Sequence, residues 1–204
     1  MGILDKFKKK KNDTLHITLH LNARLRPLDR GALYEDDMNE ILKKYKLGEV
    51  VGGGTAQRKD GEIEYCDIEI SLKEEAMEDF ICFINRIPIP KGSYLQIDED
   101  TIPQGSSLQR GKTRIDVGQL EGLALYLNGT DLPNEVYESC DVNYVVDELE
   151  KLLDGCGEMY SFFEGNTETA FYFYGENFDE MKNRISSFIE NYPLCSQCRI
   201  IQIA

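Results

Sequence analysis

The chain has 204 residues, a hydrophobic content of 41%, a charged content of 29% and a formal net charge of −14 at pH 7. This composition is typical of a globular protein and excludes a disordered or low-complexity chain. No apolar run approaches the roughly 18 residues that cross a bilayer, and no signal-peptide core follows the start, so we expect a cytoplasmic protein.

The negative charge is concentrated in the second half of the chain. From residue 120 onward there are 16 acidic and 4 basic residues, whereas residues 13–119 carry 20 acidic and 14 basic residues. Such an acidic surface opposes nucleic-acid binding, which needs lysine and arginine against the phosphates. It favours a basic protein partner through electrostatic attraction. Solubility alone is the simpler interpretation of the same charge.

Residues 1–13 are interpreted as a basic leader, in which lysines follow Ile3, Leu4 and Phe7. Apolar anchors beside a polybasic cluster are two weak signals for contact with a membrane surface. Residues 1–11 therefore predict at most a weak contact of that kind. A leader in solvent is the simpler interpretation, because the segment is short.

The next segment has the pattern strand, helix, strand, strand, helix, strand. Residues 15–25 alternate between apolar and polar, which predicts a long half-buried strand that Pro27 and Gly31 end. Glu35–Leu47 has helical periodicity, with acidic residues first and lysines last. Lys59-Asp60-Gly61 predicts a hairpin turn between two strands, and Glu74–Ile87 a second amphipathic helix before a final strand. This order is that of a ferredoxin-like βαββαβ module over residues 14–98.

The same order of elements recurs after a predicted linker, residues 99–119, which is rich in Asp, Gly, Ser, Gln and Arg. Residues 120–204 contain predicted helices at Val142–Leu153 and Phe178–Tyr192, with strands before, between and after them. A repeat of this length indicates a duplicated domain, since solenoid units recur at roughly 20–50 residues. The predicted fold class is α+β, with two tandem ferredoxin-like (βαββαβ) modules related by pseudo-symmetric duplication.

Aromatic residues are concentrated on the two central strands of the second module. In RNA-recognition domains such aromatics stack on bases, but the negative charge of this module opposes that use. We expect one face to pack against the helices of the module and the other against the sister sheet or a protein partner. The set comprises Tyr160, Phe162, Phe163, Phe171, Tyr172, Phe173 and Tyr174.

Three motifs that often carry chemistry are interpreted as structural. The CxxC pair Cys195–Cys198 could be a redox pair or half of a zinc site, but it enters a strand and has no second ligand pair. His16 and His20 lie about 13 Å apart on a strand that rises roughly 3.3 Å per residue, too far to share one ion. Gly52–Gly54 predicts a bulge or flexible edge strand rather than a phosphate loop. We therefore predict reduced thiols, no catalytic residue, no metal and no cofactor.

The most chemically loaded loop runs from residue 24 to residue 35 and has a counterpart in the second module. Mixed charges and phenols at one end of a sheet could bind a small anion or a partner, or form salt bridges between the modules. The candidate residues are Arg24, Arg26, Asp29, Arg30, Tyr34 and Glu35 in the first module and Asn128, Asp131, Tyr137 and Glu138 in the second.

Five short runs of the chain are distinctive. They are Arg26-Pro27-Leu28-Asp29-Arg30-Gly31, Gly52-Gly53-Gly54-Thr55, Leu127-Asn128-Gly129-Thr130-Asp131-Leu132-Pro133, Glu135-Val136-Tyr137 and Tyr192-Pro193-Leu194-Cys195. These runs resemble those of a group of bacterial proteins of unknown function. The resemblance covers nearly the whole chain and implies no catalytic motif. In size and acidity the chain is also similar in character to immunity proteins that neutralise secreted toxins.

The sequence favours a non-catalytic acidic binding protein that engages a basic protein partner, as a toxin-neutralising immunity protein would. The alternative is a small-molecule-binding regulatory protein with its ligand between the two modules. An enzyme is less favoured, because no convergent nucleophile, base and orienting residue can be identified.

Overall fold

The computed structural model describes residues 14–204, so the predicted basic leader and its membrane-surface contact lie outside the described residues. The strands are β1 (Thr14–Leu21), β2 (Gly48–Gln57), β3 (Ile63–Lys73), β4 (Ser93–Ile97), β5 (Arg114–Val117), β6 (Glu121–Asn128), β7 (Gly157–Glu164), β8 (Glu168–Gly175) and β9 (Arg199–Gln202). The α-helices are α1 (Pro27–Arg30), α2 (Asp36–Lys44), α3 (Met77–Ile84), α4 (Asn134–Ser139), α5 (Val142–Leu153) and α6 (Phe178–Asn191). None of these helices has the length and apolar character that a membrane crossing requires.

The strands form two antiparallel sheets. The first has the order β2-β3-β1-β4-β5 and the second the order β7-β8-β6-β9. The second sheet therefore repeats the relative order of the first four strands. The predicted α+β class, with antiparallel sheets, is confirmed, and the arrangement is compatible with a duplicated ferredoxin-like fold. Below, residues 14–119 are called the first unit and residues 120–204 the second unit.

The first sheet buries one face under α2 and α3. On β1, Leu15, Ile17, Leu19 and Leu21 are fully buried, whereas the alternate positions are half-buried or exposed. This is the period of two that a strand with one covered face requires. The register places Leu19 opposite Ile68 of β3 on the same covered face. Each such side chain contributes about 1.5–3 kcal/mol by burial.

The helical segment after β1 begins earlier than the periodicity predicts. α1 begins at Pro27, where the missing N–H removes no helical hydrogen bond. A π-helical turn, Gly31–Glu35, then joins α1 to α2. Gly31 has a helical φ of −54°, so it continues the segment instead of ending it. This extension carries the buried side chain of Tyr34 onto the core of the first unit.

Part of the predicted linker belongs to the first sheet. β5 pairs antiparallel with β4 and places Ile115 opposite Leu95, while Val117 is buried. Two alternating apolar residues are too few to predict a strand, and here pairing with β4 satisfies their backbone groups. The module boundaries at 14–98 and 120–204 stay a prediction.

The second sheet is buried on both faces along β8. Phe171 and Phe173 pack in a core with α5 and α6. Tyr172 and Tyr174 point to the other face and pack against the first unit, because successive strand side chains alternate. The prediction that these aromatics form core and interdomain packing is confirmed.

The glycine run lies on β2, at the edge of the first sheet. The register of β2 against β3 shifts between Val50 and Gly52, which is a bulge. The prediction of a bulge on an edge strand is confirmed. Gly53 has a packing role as well, since a Cβ there would lie 2.9 Å from a carboxylate oxygen of Glu35 and 3.1 Å from the guanidinium of Arg30.

Candidate functional site

A buried carboxylate, Glu62, joins the two units. It lies just before β3 in the first unit, and its side chain is only 6% exposed. Its Oε1 accepts hydrogen bonds from the hydroxyls of Tyr126 at 2.6 Å and Tyr172 at 2.7 Å, both from the second unit. Arg24 donates to the same oxygen, and Arg58 donates to Oε2 at 3.2 Å. The carboxylate is thereby saturated with donors, as a buried charge must be.

The surroundings of Glu62 stabilise the neutral phenols beside it. Burial, together with the hydrogen bonds to Glu62, raises the pKa of Tyr126 and of Tyr172 above the ordinary value. The Arg24 guanidinium also lies over the Tyr172 ring, 5.4 Å from its centroid, in a cation–π contact. The two phenols therefore stay protonated at neutral pH and donate their hydrogen bonds to the Glu62 carboxylate.

The sequence does not single out Glu62 as a site residue, because it directly follows the charged turn Lys59-Asp60-Gly61, a position that is usually solvated. It lies two residues from the exposed Glu64, so local pattern does not distinguish the two. The signal that separates them is tertiary, because the partners Tyr126 and Tyr172 are 64 and 110 residues away.

A second polar contact between the units surrounds Asp29. Its carboxylate accepts hydrogen bonds from Ser161 at 2.5 Å and from two guanidinium nitrogens of Arg26 at 2.7 and 3.0 Å. Burial alone would raise the pKa of Asp29, but these hydrogen bonds outweigh it and hold the pKa below its ordinary value. The Arg26 guanidinium also lies 3.9 Å from the centroid of the Phe162 ring. The salt bridge between Arg26 and Asp29 lies within the first unit. The contacts that cross to the second unit are the Ser161 hydrogen bond and the Arg26–Phe162 ring contact, so within residues 14–204 the predicted salt bridge between the modules is not formed at this loop.

The other residues of the predicted loop are held inside the first unit. Arg30 donates to Glu35 at 2.5 Å and to the Gly54 carbonyl at 2.7 Å. The Tyr34 hydroxyl donates to the Pro88 carbonyl at 2.7 Å. The structure therefore does not gather the six candidate side chains of this loop into one open site. Their role as ligand or partner contacts stays a prediction.

The four candidate residues of the second unit lie near a cavity. Asn128 and Tyr137 line it, and the Tyr137 hydroxyl donates to the Asn128 carbonyl at 3.2 Å. The Asn128 side chain in turn accepts from the backbone N–H of Asp131 at 2.9 Å. Asp131 and Glu138 are exposed and lie outside the lining. The structure thus brings two of the four residues together at the cavity wall.

This cavity, called the helix-side cavity, has a volume of about 540 Å³, which is within the range of small-molecule sites. It lies between the sheet of the second unit and the junction of α4 with α5, where the helix breaks between Ser139 and Val142. Its lining comprises Leu127, Asn128, Gly129, Tyr137, Cys140, Asp141, Val142, Asn143, Val146, Met159, Phe162, Glu164, Thr169, Phe171 and Leu194.

The lining of the helix-side cavity combines apolar side chains with acidic groups, and the Arg26 guanidinium, which interacts with Glu164, lies outside that lining. Asp141 and Glu164 are its acidic residues, and no lysine, arginine or histidine of the described chain is among the lining residues. Asp141 caps α5 by accepting from the backbone N–H of Asn143 at 2.8 Å. Asp141 directly precedes the predicted helix Val142–Leu153, which is the N-cap position that an aspartate favours, whereas no pattern in the sequence identifies Glu164. The cavity suits an apolar group that carries positive charge at its edge.

A smaller cavity of about 270 Å³ lies between the two units. The first unit contributes Arg26, Gln57, Gly61 and Ile63, and the second contributes Phe162, Phe163, Glu164 and Tyr172. Phe162 and Glu164 also line the helix-side cavity. The side chains of Phe162 and Glu164 therefore separate the two cavities. Arg26 contacts the Phe162 ring from the side of the smaller cavity.

The histidines occupy different environments on β1. His16 is exposed, whereas the His20 ring lies between the rings of Tyr65 and Tyr94, with both centroid distances 4.5 Å. His20 Nδ1 is 2.8 Å from a carboxylate oxygen of Asp67. His20 is thus a packed member of the uncovered face of the first sheet rather than a solvent-facing side chain. Within the described residues, no group of His, Cys, Asp and Glu has the arrangement of a metal site.

All six cysteines lie within residues 14–204 and are free thiols. Cys195 is buried in a short 3-10 turn and Cys198 is half-buried before β9. Burial, with a smaller contribution from Cys198 and Cys140, raises the pKa of Cys195 to about 12. Burial likewise raises the pKa of Cys66 to about 11. Because the thiolate is the reactive form, these two thiols are poor nucleophiles at neutral pH.

We expect iodoacetamide at about pH 8 to modify Cys82 first and to leave Cys66 and Cys195 unmodified in the folded protein. Cys82 is exposed, whereas the other two are buried and protonated. Mass spectrometry of peptides from a time course measures the order of modification, and the same reaction in urea shows that all thiols can react. Rapid modification of Cys195 in the native protein would contradict its structural interpretation and indicate an activated CxxC pair.

Comparisons with known proteins give no family assignment. No model of a protein family matches the chain, and no curated protein sequence matches it. Among solved structures, it is similar to an "unknown protein" from Galdieria sulphuraria, with 12% identity over 93% of this chain and 96% of the other and a TM-score of 0.29. A protein named as a monooxygenase from Fusobacterium nucleatum has 10% identity over 93% and 90% of the two chains and a TM-score of 0.30. A chlorite dismutase from Candidatus Nitrospira defluvii has 6% identity over 98% and 94% and a TM-score of 0.27. TM-scores this low do not establish a shared fold, so no property of these proteins is transferred to this chain.

Proposed function

We propose that the protein is a non-catalytic, cytoplasmic binding protein whose acidic second unit engages a basic protein partner. The observation that carries the proposal is the helix-side cavity, which is lined by apolar side chains and by the acids Asp141 and Glu164, without a cation. An immunity protein that neutralises a basic toxin is the functional class that we propose for such a binder.

The cavity supplies affinity, and the charge supplies selectivity. An apolar partner side chain that fills it gains about 1.5–3 kcal/mol by burial. The carboxylates at its wall, in a unit with 16 acidic and 4 basic residues, attract basic partners and repel acidic ones. An anionic small molecule is disfavoured by the same carboxylates.

The experiment uses two amidated peptides that each contain one leucine. The charged residues are all lysine in one peptide and all glutamate in the other. We expect the wild-type protein to bind the lysine peptide and not the glutamate peptide in a calorimetric titration. Affinity should fall when salt is raised from about 50 to 300 mM, because screening weakens exposed charge attraction. The V142W variant should lower the affinity about tenfold, since Val142 lines the cavity and an indole at this position would obstruct part of it.

Leu33 is the matched control for this substitution. Leu33 and Val142 are each 40% exposed, but Leu33 lies in the first unit, so the L33W variant should bind like the wild type. Equal binding of the two peptides by the wild-type protein would overturn the proposal. So would unchanged binding of the lysine peptide by V142W.

The smaller cavity between the units favours a second candidate function, the binding of a small regulatory molecule there. Its lining combines Arg26 with the aromatic rings of Phe162 and Tyr172. A ligand in this position would contact both units and would raise the melting temperature of the protein. Screening a panel of small metabolites by thermal shift tests this function, and F162A, which removes a shared wall, should abolish any shift that arises there.

We further propose that the units are tandem ferredoxin-like modules that arose by internal duplication. The repeated strand order of the two sheets supports this. An experimental structure in which the two units superpose over their four equivalent strands and two helices would test it, and unrelated helix placements would contradict it.

A further inference from the structure

A stripe of aromatic and acidic side chains runs along α5 from the mouth of the helix-side cavity. Val142 at the start of α5 lines the cavity, and Tyr144 follows on the exposed surface. Asp147 and Glu150 of α5, with Asp154 directly after its last residue, then line a depression farther along. Residues three and four apart on a helix are neighbours on one face, so Tyr144, Asp147 and Asp154 share that face. We call these four residues, Tyr144, Asp147, Glu150 and Asp154, the α5 stripe.

Tyr144 is exposed, and two aromatic rings of the neighbouring helix region pack against it. It is 45% exposed, and its ring contacts Phe188 and Tyr192 of the neighbouring helix region at centroid distances of 6.0 and 5.3 Å. The Phe188 and Tyr192 rings stack on each other at 5.3 Å. The Tyr192 hydroxyl also accepts from the backbone N–H of Asp141 at 3.1 Å. One ring face is thus supported by aromatic packing while part of the side chain remains open to a partner.

The two nearby cations each form their ion pair with a carboxylate outside the stripe, although Lys151 also lies close enough to Asp147 and Tyr144 to interact with them electrostatically. Lys151, which also lines the depression, donates to Glu148 at 2.7 Å. Arg184 of α6 donates to Glu180 at 2.7 Å and to the Asp154 carbonyl at 3.0 Å. The described residues place no ion pair on Asp147, Glu150 or Asp154. The stripe therefore presents net negative charge next to an exposed aromatic ring.

We propose that the α5 stripe binds an arginine-containing basic segment of the partner that inserts its apolar side chain into the helix-side cavity. This rests on the proposed function and names the partner surface. An arginine guanidinium stacks on Tyr144, because planar guanidinium groups combine cation–π and stacking contact. Further basic residues pair with Asp147, Glu150 and Asp154. Charge complementarity and continuity with the cavity favour this occupant over an apolar or acidic one.

The dimensions define the length of the segment. The ten steps along the chain from Tyr144 to Asp154 span about 15 Å at roughly 1.5 Å per residue of helix. An extended peptide covers that distance with about five residues at roughly 3.3 Å each. The partner segment therefore carries its apolar residue and its basic residues within a single short stretch, which a seven-residue peptide reproduces.

The test uses an amidated seven-residue peptide with one leucine at its start and four arginines, and the same peptide with lysines. We expect calorimetric titration at low salt to show several-fold tighter binding of the arginine peptide. Y144S should lower its affinity about fivefold and remove most of the preference over lysine. The double variant D147N/D154N should lower the affinity about tenfold, while the control E135Q/E190Q, with the same charge change at other exposed positions, changes it less than twofold.

The outcomes separate this inference from the proposed function. If the peptide binds and V142W weakens it but the stripe variants do not, the stripe proposal is wrong and the cavity proposal stands. If E135Q/E190Q weakens binding as much as D147N/D154N does, the attraction is non-specific and the stripe proposal is overturned. If neither peptide binds the wild-type protein, both proposals fail. Circular dichroism of each variant confirms that these exposed substitutions leave the fold intact.

Discussion

The E62Q variant should lose about 3–5 kcal/mol of unfolding free energy, the cost of breaking a buried ion pair by removing one partner. Glu62 is buried, and its carboxylate is the shared acceptor for Arg24, Tyr126 and Tyr172. The neutral amide leaves the Arg24 guanidinium, whose side chain is 11% exposed, without its counter-charge. Since the partners belong to both units, the loss weakens their packing on each other.

The matched control is E64Q, which makes the same chemical change two residues away at an exposed position. We expect it to change the free energy of unfolding by less than about 0.5 kcal/mol. Urea unfolding followed by circular dichroism measures both variants. Equal stability of E62Q and E64Q would show that Glu62 does not carry the contact between the units. The Y126F and Y172F variants should each lose about 1.5–3 kcal/mol, the usual value of one hydrogen bond to a charged group.

The second large effect is expected for G118A, at roughly 3–5 kcal/mol, among the largest single-residue losses. Gly118 has φ +99°, a region that L-residues rarely adopt. A Cβ there would also overlap the carbonyl oxygen of Pro90 and lie 2.8 Å from its carbonyl carbon. Backbone cannot rotate aside as a side chain can, so the chain leading into the second unit must move.

The expected loss for G118A has two causes, the positive φ and the overlap with the backbone of Pro90. A substitution at Gly111 tests the first cause alone. Gly111 has φ +83°, close to that of Gly118, but nothing lies within 4 Å of the position of an added Cβ. The G111A variant should therefore lose only about 1–2 kcal/mol, the cost of the left-handed conformation. Chemical denaturation of the two variants side by side gives the difference. A loss for G118A no greater than for G111A would mean that the segment shifts without strain.

The sequence predicted the order of elements because that order rests on local patterns. The alternation on β1 and the acidic start and basic end of α2 are visible in single segments. The same reasoning missed β5, where only Ile115 and Val117 carry the pattern and pairing with β4 decides the outcome. It also ended the first strand with a loop where helix begins at Pro27. Local pattern is therefore informative where many residues repeat it, and weak where two or three do.

For the candidate site, the sequence by itself determined which charged and aromatic residues are present. The tertiary structure decided which of them contact one another. The acidic second unit, the aromatic strands and the charged loop at residues 24–35 are properties of the chain alone. Only folding pairs Arg24 with Glu62 and Asp29 with Ser161, across 38 and 132 residues, and so places part of the loop at residues 24–35 against the second unit. The helix-side cavity likewise depends on folding. It forms where the chain between α4 and α5 lies next to the second sheet, whose strands come from distant segments of the sequence. Contacts of this kind depend on which surfaces meet, and neighbouring residues in a sequence carry little of that information.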